Sequence, residues 1–444
     1  MKKFPNAFVI ILFVILSAWA LTFLIPKGNY QRKLDQTNER TIVVPNSYEY
    51  QEAQHLSPFD MLLAIPEGIA GRADLIVLVL LLGGSFFIIE RTGALNQGLG
   101  QLITLLNGKE LFALTTISIL FFIAGSTIAL QEEIIALTPV LLLFGRNLGY
   151  SPLTMICASY GSAVVGASFS PFNPFGVLIA QKEAEVELLS GLEFRLLFLL
   201  IAGFIWTIYI IQYARKNTVE KSRSELTVTS LTSQNKIILI LLAVTFGIVS
   251  YGLIALGWGF NEMSACFFAL GLLSGLIAKF GFNKTTELYV EGFKEMVFAC
   301  AIIGLANSVS VVLTKGSIID TIVYGLFTPL KNIAPSFSGV LMMMAHTILH
   351  FPVPSYSGQA ILTMPILTPL SDLIGLSRQV CVLAYQYGTI MMDVIVPTNG
   401  ALMAVIALGG IKYNNWIRFI IKPTLIMLIL AAIAILIAIK VGYE

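Results

Sequence analysis

The sequence predicts an all-α, polytopic membrane protein with two inverted repeats, each containing a re-entrant hairpin and a broken transmembrane helix. Hydrophobic residues make up 57% of the 444 residues and charged residues only 12%, which leaves too little polar surface to solvate a globule of this size. Apolar runs of about 20 residues, the length that spans a bilayer, recur along the chain. Two regions of these runs are interrupted, in corresponding places, by polar and proline-rich stretches.

The two interrupted regions lie 226 residues apart and match without a gap. The matched pairs are Pro139 with Pro365, Gly149 with Gly375, Ser151 with Ser377, Ala158 with Ala384, Pro171 with Pro397 and Asn173 with Asn399. Because an odd number of expected crossings separates Asn173 from Asn399, we expect the second repeat to be inverted relative to the first. Paired broken segments are typical of secondary transporters whose substrate binds near the membrane midplane.

The first half of the chain, residues 1–214, is expected to begin with an uncleaved span directly after Lys2 and Lys3. These lysines place the N-terminus in the cytoplasm by the positive-inside rule. The polar stretch 26–58 then lies outside, where its sequence favours a small β-hairpin or cap. A second span near residues 74–90 returns the chain to the cytoplasm.

A re-entrant hairpin is expected over residues 110–147. The apolar run that opens it is shorter than the about 20 residues of a full crossing, so we interpret it as one arm of a hairpin with its tip at residues 125–127. A broken helix over residues 151–188 follows and is interrupted at 169–174. A span over residues 192–214 completes the first half.

The most basic short loop, residues 215–236, links the two halves and is expected in the cytoplasm. The second half, residues 237–444, repeats the plan with a hairpin over 337–375 and a broken helix over 378–411. The tip of this hairpin is expected at residues 351–357, where two prolines and two serines interrupt the apolar pattern. Counting the crossings places the C-terminus outside.

Polar side chains at the four breaks are the candidates for a binding site. A half-helix that stops inside the membrane exposes N–H or C=O groups, and a bound carboxylate or cation can satisfy them. The candidates are Ser126, Thr127, Ser168, Ser170, Asn173, Ser355, Ser357, Gln359, Thr398 and Asn399. The alternative is that these side chains only cap the broken helix ends.

Three acidic residues inside the apolar pattern are further candidates. A carboxylate at the bilayer centre costs about 2.5–3.5 kcal/mol on the insertion scale, so Glu132 and Glu133 are expected to have a function. They could bind a substrate ammonium group, carry a coupling proton or help to hold Na⁺. Alternatively, they form a structural ion pair or lie near the headgroups. Asp393, four residues before Pro397, is their counterpart in the second half.

His346 and His350 lie four residues apart and therefore share one face of the predicted hairpin helix. Two histidines without further ligands make a poor zinc site, so a packing role is expected. The alternative is that His350, near the hairpin tip, interacts with the substrate or a proton.

Several classes of function are excluded by the motifs. The sequence has no phosphate-binding Gly-Lys loop, no His-Glu metalloprotease motif and no nucleophile elbow, so we expect neither an enzyme nor ATP-driven transport. No basic run alternates with aromatic residues, so nucleic acid is not an expected partner. The four cysteines stand singly in apolar runs and are expected to pack in the core. No cofactor or metal is expected beyond a coupling ion, Na⁺ or H⁺.

Several motifs resemble the anaerobic C4-dicarboxylate carrier (DcuC) family, and within it the YfcC-like branch of the ion transporter superfamily. They are Gly125–Leu137 with its acidic pair, Asn173–Phe175, Tyr213–Arg215, and Pro397–Ala404 with Tyr413 and Trp416. The resemblance covers nearly the whole chain. It implies an inner-membrane transporter with a scaffold domain and a transport domain of two opposed hairpins. It also implies a homodimer, an elevator-like movement, and C4-dicarboxylates or basic amino acids as substrates.

The expected function is therefore ion-coupled symport or exchange of a small carboxylate-bearing metabolite. An amino acid, especially a basic one, is favoured because Glu132 and Glu133 would repel a dianion. A C4-dicarboxylate is the alternative if helix N-termini dominate the site. A passive channel would need intact spans with a continuous polar lining, which broken and paired hairpins disfavour.

Overall fold

The computed structural model describes residues 7–35, 40–44, 46–52, 56–95, 97–98, 101, 108–220, 231–256 and 258–443. Within these ranges the chain is almost entirely helical, and seven helices are long and apolar enough to cross a membrane by length and composition. The predicted class, an all-α multi-pass membrane protein, is confirmed. The lysines at positions 2 and 3 and residues 221–230 of the predicted linker lie outside the described residues.

The N-terminal region carries a small β-structure between two helices. Helix α1 spans Ala7–Leu24, and strands β1 (Gly28–Asn29) and β4 (Glu49–Tyr50) pair antiparallel, as do β2 (Arg32–Asp35) and β3 (Arg40–Val43). The expected hairpin within residues 26–58 is therefore present. It is anchored to the second half, because Asp320 accepts hydrogen bonds from Tyr30 N and from Arg32, each at 2.9 Å.

Helix α2 (Pro58–Ala70) was not predicted, because its 13 residues are too few to read as a span. It turns at Gly71 and Arg72 into helix α3 (Ala73–Arg91). Both helices pack on the long helix α12 (Gly281–Lys315). A Cβ atom added at Gly68 would lie 2.3 Å from Ser308 Oγ, so the absence of a side chain permits this close packing. The α2–α3 corner is thereby held against the second half.

The first hairpin consists of α4 (Glu110–Ile128) and α5 (Ile134–Leu148), and the break between them is at residues 129–133. The predicted tip at residues 125–127 is wrong. Thr127 Oγ1 donates a hydrogen bond to the carbonyl of Ile123 at 2.8 Å, so the polar side chain is satisfied within a continuous helix. The chain leaves the helix at Ala129, which adopts a left-handed conformation with φ 56°.

The first broken helix begins with α6 (Pro152–Ile156), continues through a π-helical turn (Cys157–Gly161) and ends with α7 (Ser162–Phe169). Residues 170–176 are non-helical, and the short helix α8 (Val177–Glu183) follows. The predicted second part extended to residue 188, but the helix ends five residues earlier, after Glu183. Helix α9 (Leu192–Lys216) completes the first half.

The second half contains α10 (Ser233–Ala255), α11 (Phe260–Ile277), α12, α13 (Ile319–Phe327) and a 3₁₀ turn at Thr328–Asn332. Its hairpin is formed by α14 (Pro335–Leu349) and α15 (Tyr356–Leu373), with the tip where it was predicted. The broken helix consists of α16 (Arg378–Ile390), a 3₁₀ turn at Met391–Val394, and α17 (Gly400–Leu408). Helix α18 (Tyr413–Val441) ends the described chain. The apolar pattern predicts a span over residues 293–313, but helix α12 begins at Gly281, because a charged segment precedes its apolar part.

Matched residues of the two halves have the same local conformation. Gly149 and Gly375 both have positive φ, 83° and 70°, after the second hairpin helix. Ser151 and Ser377 are both N-caps, and each hydroxyl accepts a backbone N–H at 3.2 Å. The opposite orientation of the two halves in the membrane stays a prediction.

One buried cation corrects a further expectation. Arg195 of α9 lies in an apolar span, for which the sequence predicts a cation that extends towards the headgroups, yet its side chain is 1% exposed. Its guanidinium donates to the amide oxygens of Gln379 and Gln386 in α16. Gln386 in turn donates to the carbonyl of Ser170 at 2.6 Å, so the two broken helices are joined through this cluster.

Close packing of α4 on α7 depends on two glycines. A Cβ atom at Gly125 would lie 2.0 Å from the Ala163 carbonyl oxygen, and one at Gly166 would lie 2.1 Å from that of Phe122. We expect Gly125→Ala and Gly166→Ala each to destabilise the protein by about 1–3 kcal/mol, because backbone atoms have to move apart. The measurement is the thermal denaturation midpoint of purified protein in detergent.

Gly247→Ala is the matched control, because a Cβ atom at this exposed helical position has no neighbour within 4 Å. Its midpoint should equal or exceed that of the unmodified protein, since alanine favours helix more than glycine does. Equal midpoints for Gly125→Ala and Gly247→Ala would contradict the packing described here.

Candidate functional site

A cavity of ≈ 670 Å³ lies between the two hairpin tips, the first helix break and the α2–α3 corner. Its lining consists of Arg72, Thr127, Ala129, Gln131, Glu132, Glu133, Phe172, Pro174, Phe175, Trp258, Gly259, Phe260, Pro354, Ser355, Tyr356, Ser357 and Asn399. A smaller cavity of ≈ 240 Å³ shares five of these residues and adjoins it. Elements from both halves of the chain therefore enclose one space.

The wall carries one cation and two carboxylates. Arg72 and Glu132 line both cavities, and Glu133 lines the larger one. Among the described residues neither Arg72 nor Glu132 has an ion-pair partner within 4.0 Å, although the charges of the two side chains interact. Glu133 Oε2 accepts the N–H of Gln131 at 3.2 Å and so helps to close the helix break. Arg72 and Glu132 are thus the charged groups with the most capacity left for a ligand.

Aromatic side chains form much of the remaining wall. Phe172 and Phe175 come from the first break and are 37% and 53% exposed. Trp258 lies in the connection between α10 and α11, Phe260 is the first residue of α11, and Tyr356 is the first residue of α15. The faces of such rings attract planar cations, including a guanidinium group. The wall is therefore suited to a ligand with apolar length and charged ends.

The first break is closed by two side chains. Ser170 Oγ accepts the N–H groups of Phe172 and Asn173, at 2.8 and 2.9 Å, and donates to the carbonyl of Ser126. Asn173 Oδ1 accepts the N–H groups of Phe175 and Gly176, both at 3.0 Å. Asn173 Nδ2 is buried without a hydrogen-bond partner among the described residues. The break keeps one donor free beside the cavity wall.

The second break is closed by Asn399 and Thr398. Asn399 Oδ1 accepts the N–H of Leu402 at 2.8 Å, which caps α17, and Asn399 Nδ2 donates to Asp393 Oδ1 at 2.6 Å. Thr398 Oγ1 donates to the carbonyl of Phe351 at 2.7 Å and so joins the break to the hairpin tip. Asp393 is fully buried and also contacts His350, at 2.8 Å.

The predicted site residues fall into two groups. Those that line the cavities are Thr127, Glu132, Glu133, Ser355, Ser357, Thr398 and Asn399. Those that lie buried outside the lining are Ser126, Ser168, Ser170, Asn173, Gln359 and Asp393. The hydroxyls of Ser126 and Ser168 donate to carbonyls within their own helices, so they neither line the cavities nor cap a broken end.

Sequence reasoning missed Arg72, Trp258 and the aromatic wall. Arg72 directly precedes an apolar span and resembles an ordinary boundary charge, because the short helix α2 before it gave no signal of a corner. Trp258 lies in the connection between two spans, where periodicity carries no information. His350 was singled out by its spacing from His346, but its contact with Asp393 could not be predicted.

Accessibility distinguishes the two groups of serines. In a variant whose partly exposed Cys266 is replaced by alanine, Ser357→Cys should react with a water-soluble thiol reagent, because this side chain lines the cavity. Ser126→Cys should not react, because the side chain is only 4% exposed and points into its helix. Labelling followed by mass spectrometry is the measurement, and equal reactivity of the two cysteines would contradict the described tip.

Comparison with known proteins gives a consistent result. Residues 4–440 match the family described as "C4-dicarboxylate anaerobic carrier". The chain is 28% identical to the Escherichia coli K12 protein named "Putative basic amino acid antiporter YfcC", over 99% of this chain and 97% of that one. It is also 28% identical to an uncharacterized protein of Haemophilus influenzae, with the same coverage.

Two solved structures are similar at a lower level. The first is the YdaH transporter of Alcanivorax borkumensis, with a TM-score of 0.44 and 14% identity over 99% of both chains. The second is MtrF of Neisseria gonorrhoeae, with a TM-score of 0.44 and 16% identity over 99% of this chain and 96% of that one. MtrF represents a class of antimetabolite efflux pumps. The match over residues 4–440 identifies the family: the chain belongs to the C4-dicarboxylate anaerobic carriers, a family of membrane transporters.

Proposed function

We propose that this protein is an ion-coupled secondary transporter of an amino acid with a cationic side chain, such as arginine or ornithine. The observation that carries the proposal is the placement of Arg72, Glu132 and Glu133 in the wall of one cavity. An α-carboxylate pairs with Arg72, and the ammonium or guanidinium groups pair with the glutamates. The cavity volume of ≈ 670 Å³ lies within the range of about 300–1,000 Å³ that is usual for small-molecule sites.

Charge balance supports a cationic substrate over a dianion. The three charged wall residues sum to one negative charge when ionised, which complements an amino acid with one net positive charge. A dicarboxylate needs two donor groups and would bring its second carboxylate towards Glu132 or Glu133. Among the described lining residues Arg72 is the one cation, so that second carboxylate has no cationic partner.

A C4-dicarboxylate is the second candidate, and a specific observation favours it. Ser355 and Asn399 cap the N-termini of α15 and α17, and both residues line the cavities. Helix N-termini carry partial positive charge and N–H groups that attract carboxylates. The family is also described by this substrate class. On this alternative the two helix ends and Arg72 would bind the substrate, and the glutamates would bind the coupling cation.

Further parts of the proposal concern the transport cycle. The coupling ion is Na⁺ or H⁺, and the two hairpins with the broken helices form a transport domain that moves past a scaffold in an elevator-like manner. The protein forms a homodimer in the inner membrane, with its N-terminus in the cytoplasm and its C-terminus outside. The break-rich construction of residues 110–188 and 335–408 supports a moving substrate-binding unit over a passive pore.

Counterflow in proteoliposomes tests the substrate class. Vesicles loaded with unlabelled arginine should accumulate labelled arginine or ornithine, whereas loading with succinate should not drive succinate counterflow. Citrulline, which has the length of arginine without its positive charge, should compete poorly. Strong succinate counterflow without arginine counterflow would replace the proposed substrate by the dicarboxylate.

The role of Arg72 is tested with agmatine, which is arginine without its carboxylate. In Arg72→Gln, competition by arginine should weaken about 10- to 100-fold, because a hydrogen bond to a charged group contributes about 1.5–3 kcal/mol. Competition by agmatine should not weaken. In Arg72→Lys, competition by arginine should be weaker than in the unmodified protein and stronger than in Arg72→Gln, since lysine keeps the positive charge without the bidentate geometry.

Glu132→Gln should remove the preference for arginine over citrulline, because it removes the carboxylate that pairs with the substrate cation. Glu287→Gln is the matched control, since this glutamate is exposed and its only ion pair among the described residues is with Lys284. Its counterflow should equal that of the unmodified protein. Unchanged discrimination in Glu132→Gln would remove this side chain from the site.

A further inference from the structure

A buried chain of hydrogen bonds leads from the cavity wall into the second hairpin. Asn399, in the wall, donates to Asp393 Oδ1, and the same oxygen lies 2.8 Å from His350 Nε2. His350 Nδ1 lies 3.1 Å from Gln359 Oε1, and Gln359 Nε2 lies 2.9 Å from His346 Nδ1. Asp393, His350, Gln359 and His346 all have 0% exposure.

The orientation of the Gln359 amide is fixed by its surroundings. Gln359 Nε2 lies 3.1 Å from the carbonyl oxygen of His346, which can only accept a hydrogen bond. The atom that faces this carbonyl must therefore be the amide nitrogen. The amide oxygen consequently faces His350 Nδ1, so Nδ1 must carry a hydrogen in order to donate to it.

This fixes the number of protons on His350 and Asp393. With a hydrogen already on Nδ1, a neutral His350 would present a lone pair on Nε2 to the carboxylate at 2.8 Å, which is repulsive. The contact is attractive only if one additional proton lies between the two groups. The proton then resides on either the imidazole or the carboxyl group, and the pair as a whole is neutral.

We infer that His350 and Asp393 form a proton-binding site that exchanges its proton for the cationic substrate. The inference rests on the proposed function and adds the identity and location of its coupling ion. In the described conformation the pair holds one proton. When a cation enters the cavity, the proton passes from the pair to water in the cavity beside Asn399, which leaves neutral His350 and ionised Asp393.

Burial explains why the pair holds a proton in the absence of a substrate. An isolated carboxylate in a dry interior is strongly disfavoured, and among the described residues no lysine or arginine forms an ion pair with Asp393. Asp393 Oδ2 is buried without a partner, so Oδ1 carries all the contacts. Loss of the proton would leave a buried negative charge unless a second cation arrives nearby.

The neighbouring titratable groups are consistent with this exchange. The titratable groups near Asp393 are Glu132, Tyr160, Tyr356 and Tyr385, and His346 lies near His350. Tyr160 donates to the carbonyl of Asp393 at 3.3 Å, and Glu132 lies in the cavity wall. The positive charge of a substrate bound at Glu132 therefore repels the shared proton, and by linkage the proton weakens binding of the substrate cation to the same extent.

One side chain, Asn399, connects the His350–Asp393 pair to the cavity wall. Without the shared proton, neutral His350 has a single N–H for Gln359 Oε1 and Asp393 Oδ1, so one of these two hydrogen bonds is lost. Asn399 donates to the same Oδ1 and also caps α17, so the position of the carboxylate affects a residue of the wall directly. Proton loss therefore changes the second helix break, where the site meets the moving hairpin.

The test compares unmodified protein, Asp393→Asn and His350→Gln in proteoliposomes that contain a pH-sensitive dye. An opposing pH gradient should drive accumulation of labelled arginine by the unmodified protein, and arginine should drive proton movement in the opposite direction. Both variants should lose gradient-driven accumulation and proton movement but retain arginine counterflow, which needs no net proton transfer. Glu287→Gln should behave like the unmodified protein.

The inference is overturned if Asp393→Asn couples to the pH gradient as the unmodified protein does. It is also overturned if the unmodified protein exchanges arginine with a Na⁺ gradient and without proton movement. If neither arginine nor succinate shows counterflow in the unmodified protein, the proposed function fails instead, and the proton site is tested without a substrate.

The proton site is tested without a substrate by acid–base titration of the purified proteins in detergent. Over the whole titration the unmodified protein should bind about one more proton per chain than Asp393→Asn or His350→Gln, because each variant removes one member of the pair. Equal uptake by all the proteins would overturn the inference. The two variants differ in size and polarity, so a folding defect in one leaves the other as the test.

Discussion

The interruption of helices inside apolar surroundings is the constraint on which this structure depends. Each break exposes N–H and C=O groups that must find partners, since no lipid chain can supply them. Here the partners are short polar side chains: Ser170 and Asn173 at the first break, Ser355 at the second hairpin tip, and Asn399 at the last break. The polar groups that close the backbone are thereby concentrated around one cavity.

Charge is arranged around this cavity in two layers. The inner layer is the wall, where Arg72 and Glu132 lack ion-pair partners among the described residues and face open space. The outer layer is buried and hydrogen-bonded, and it contains Asp393 and His350. Asn399 belongs to both layers, because it lines the cavity and bonds to Asp393. Asn399 is therefore a direct structural link between the two layers.

The fold was largely predictable because its signals are local. Length and polarity of the apolar runs predicted most spans within a few residues, and the turn residues of the second tip located it correctly. The first tip was placed wrongly because glycine and hydroxyl residues have two uses. In α4, Gly125 permits the close approach of the Ala163 backbone, and Thr127 bonds within the helix. The sequence alone does not distinguish a glycine or hydroxyl residue that allows helices to pack closely from one that ends a helix.

The sequence by itself determined the membrane class, the positions of three of the four breaks and the acidic pair, because these depend on hydrophobicity, helix-breaking residues and charge along one segment. Only the tertiary structure decided which polar groups face the cavity. Arg72 and Glu132 come from two distant segments and line the same cavity, and Arg195 is buried against glutamines of α16 and not directed to the headgroups. Both outcomes depend on how helices pack and rotate against one another, and a one-dimensional pattern does not contain that relation.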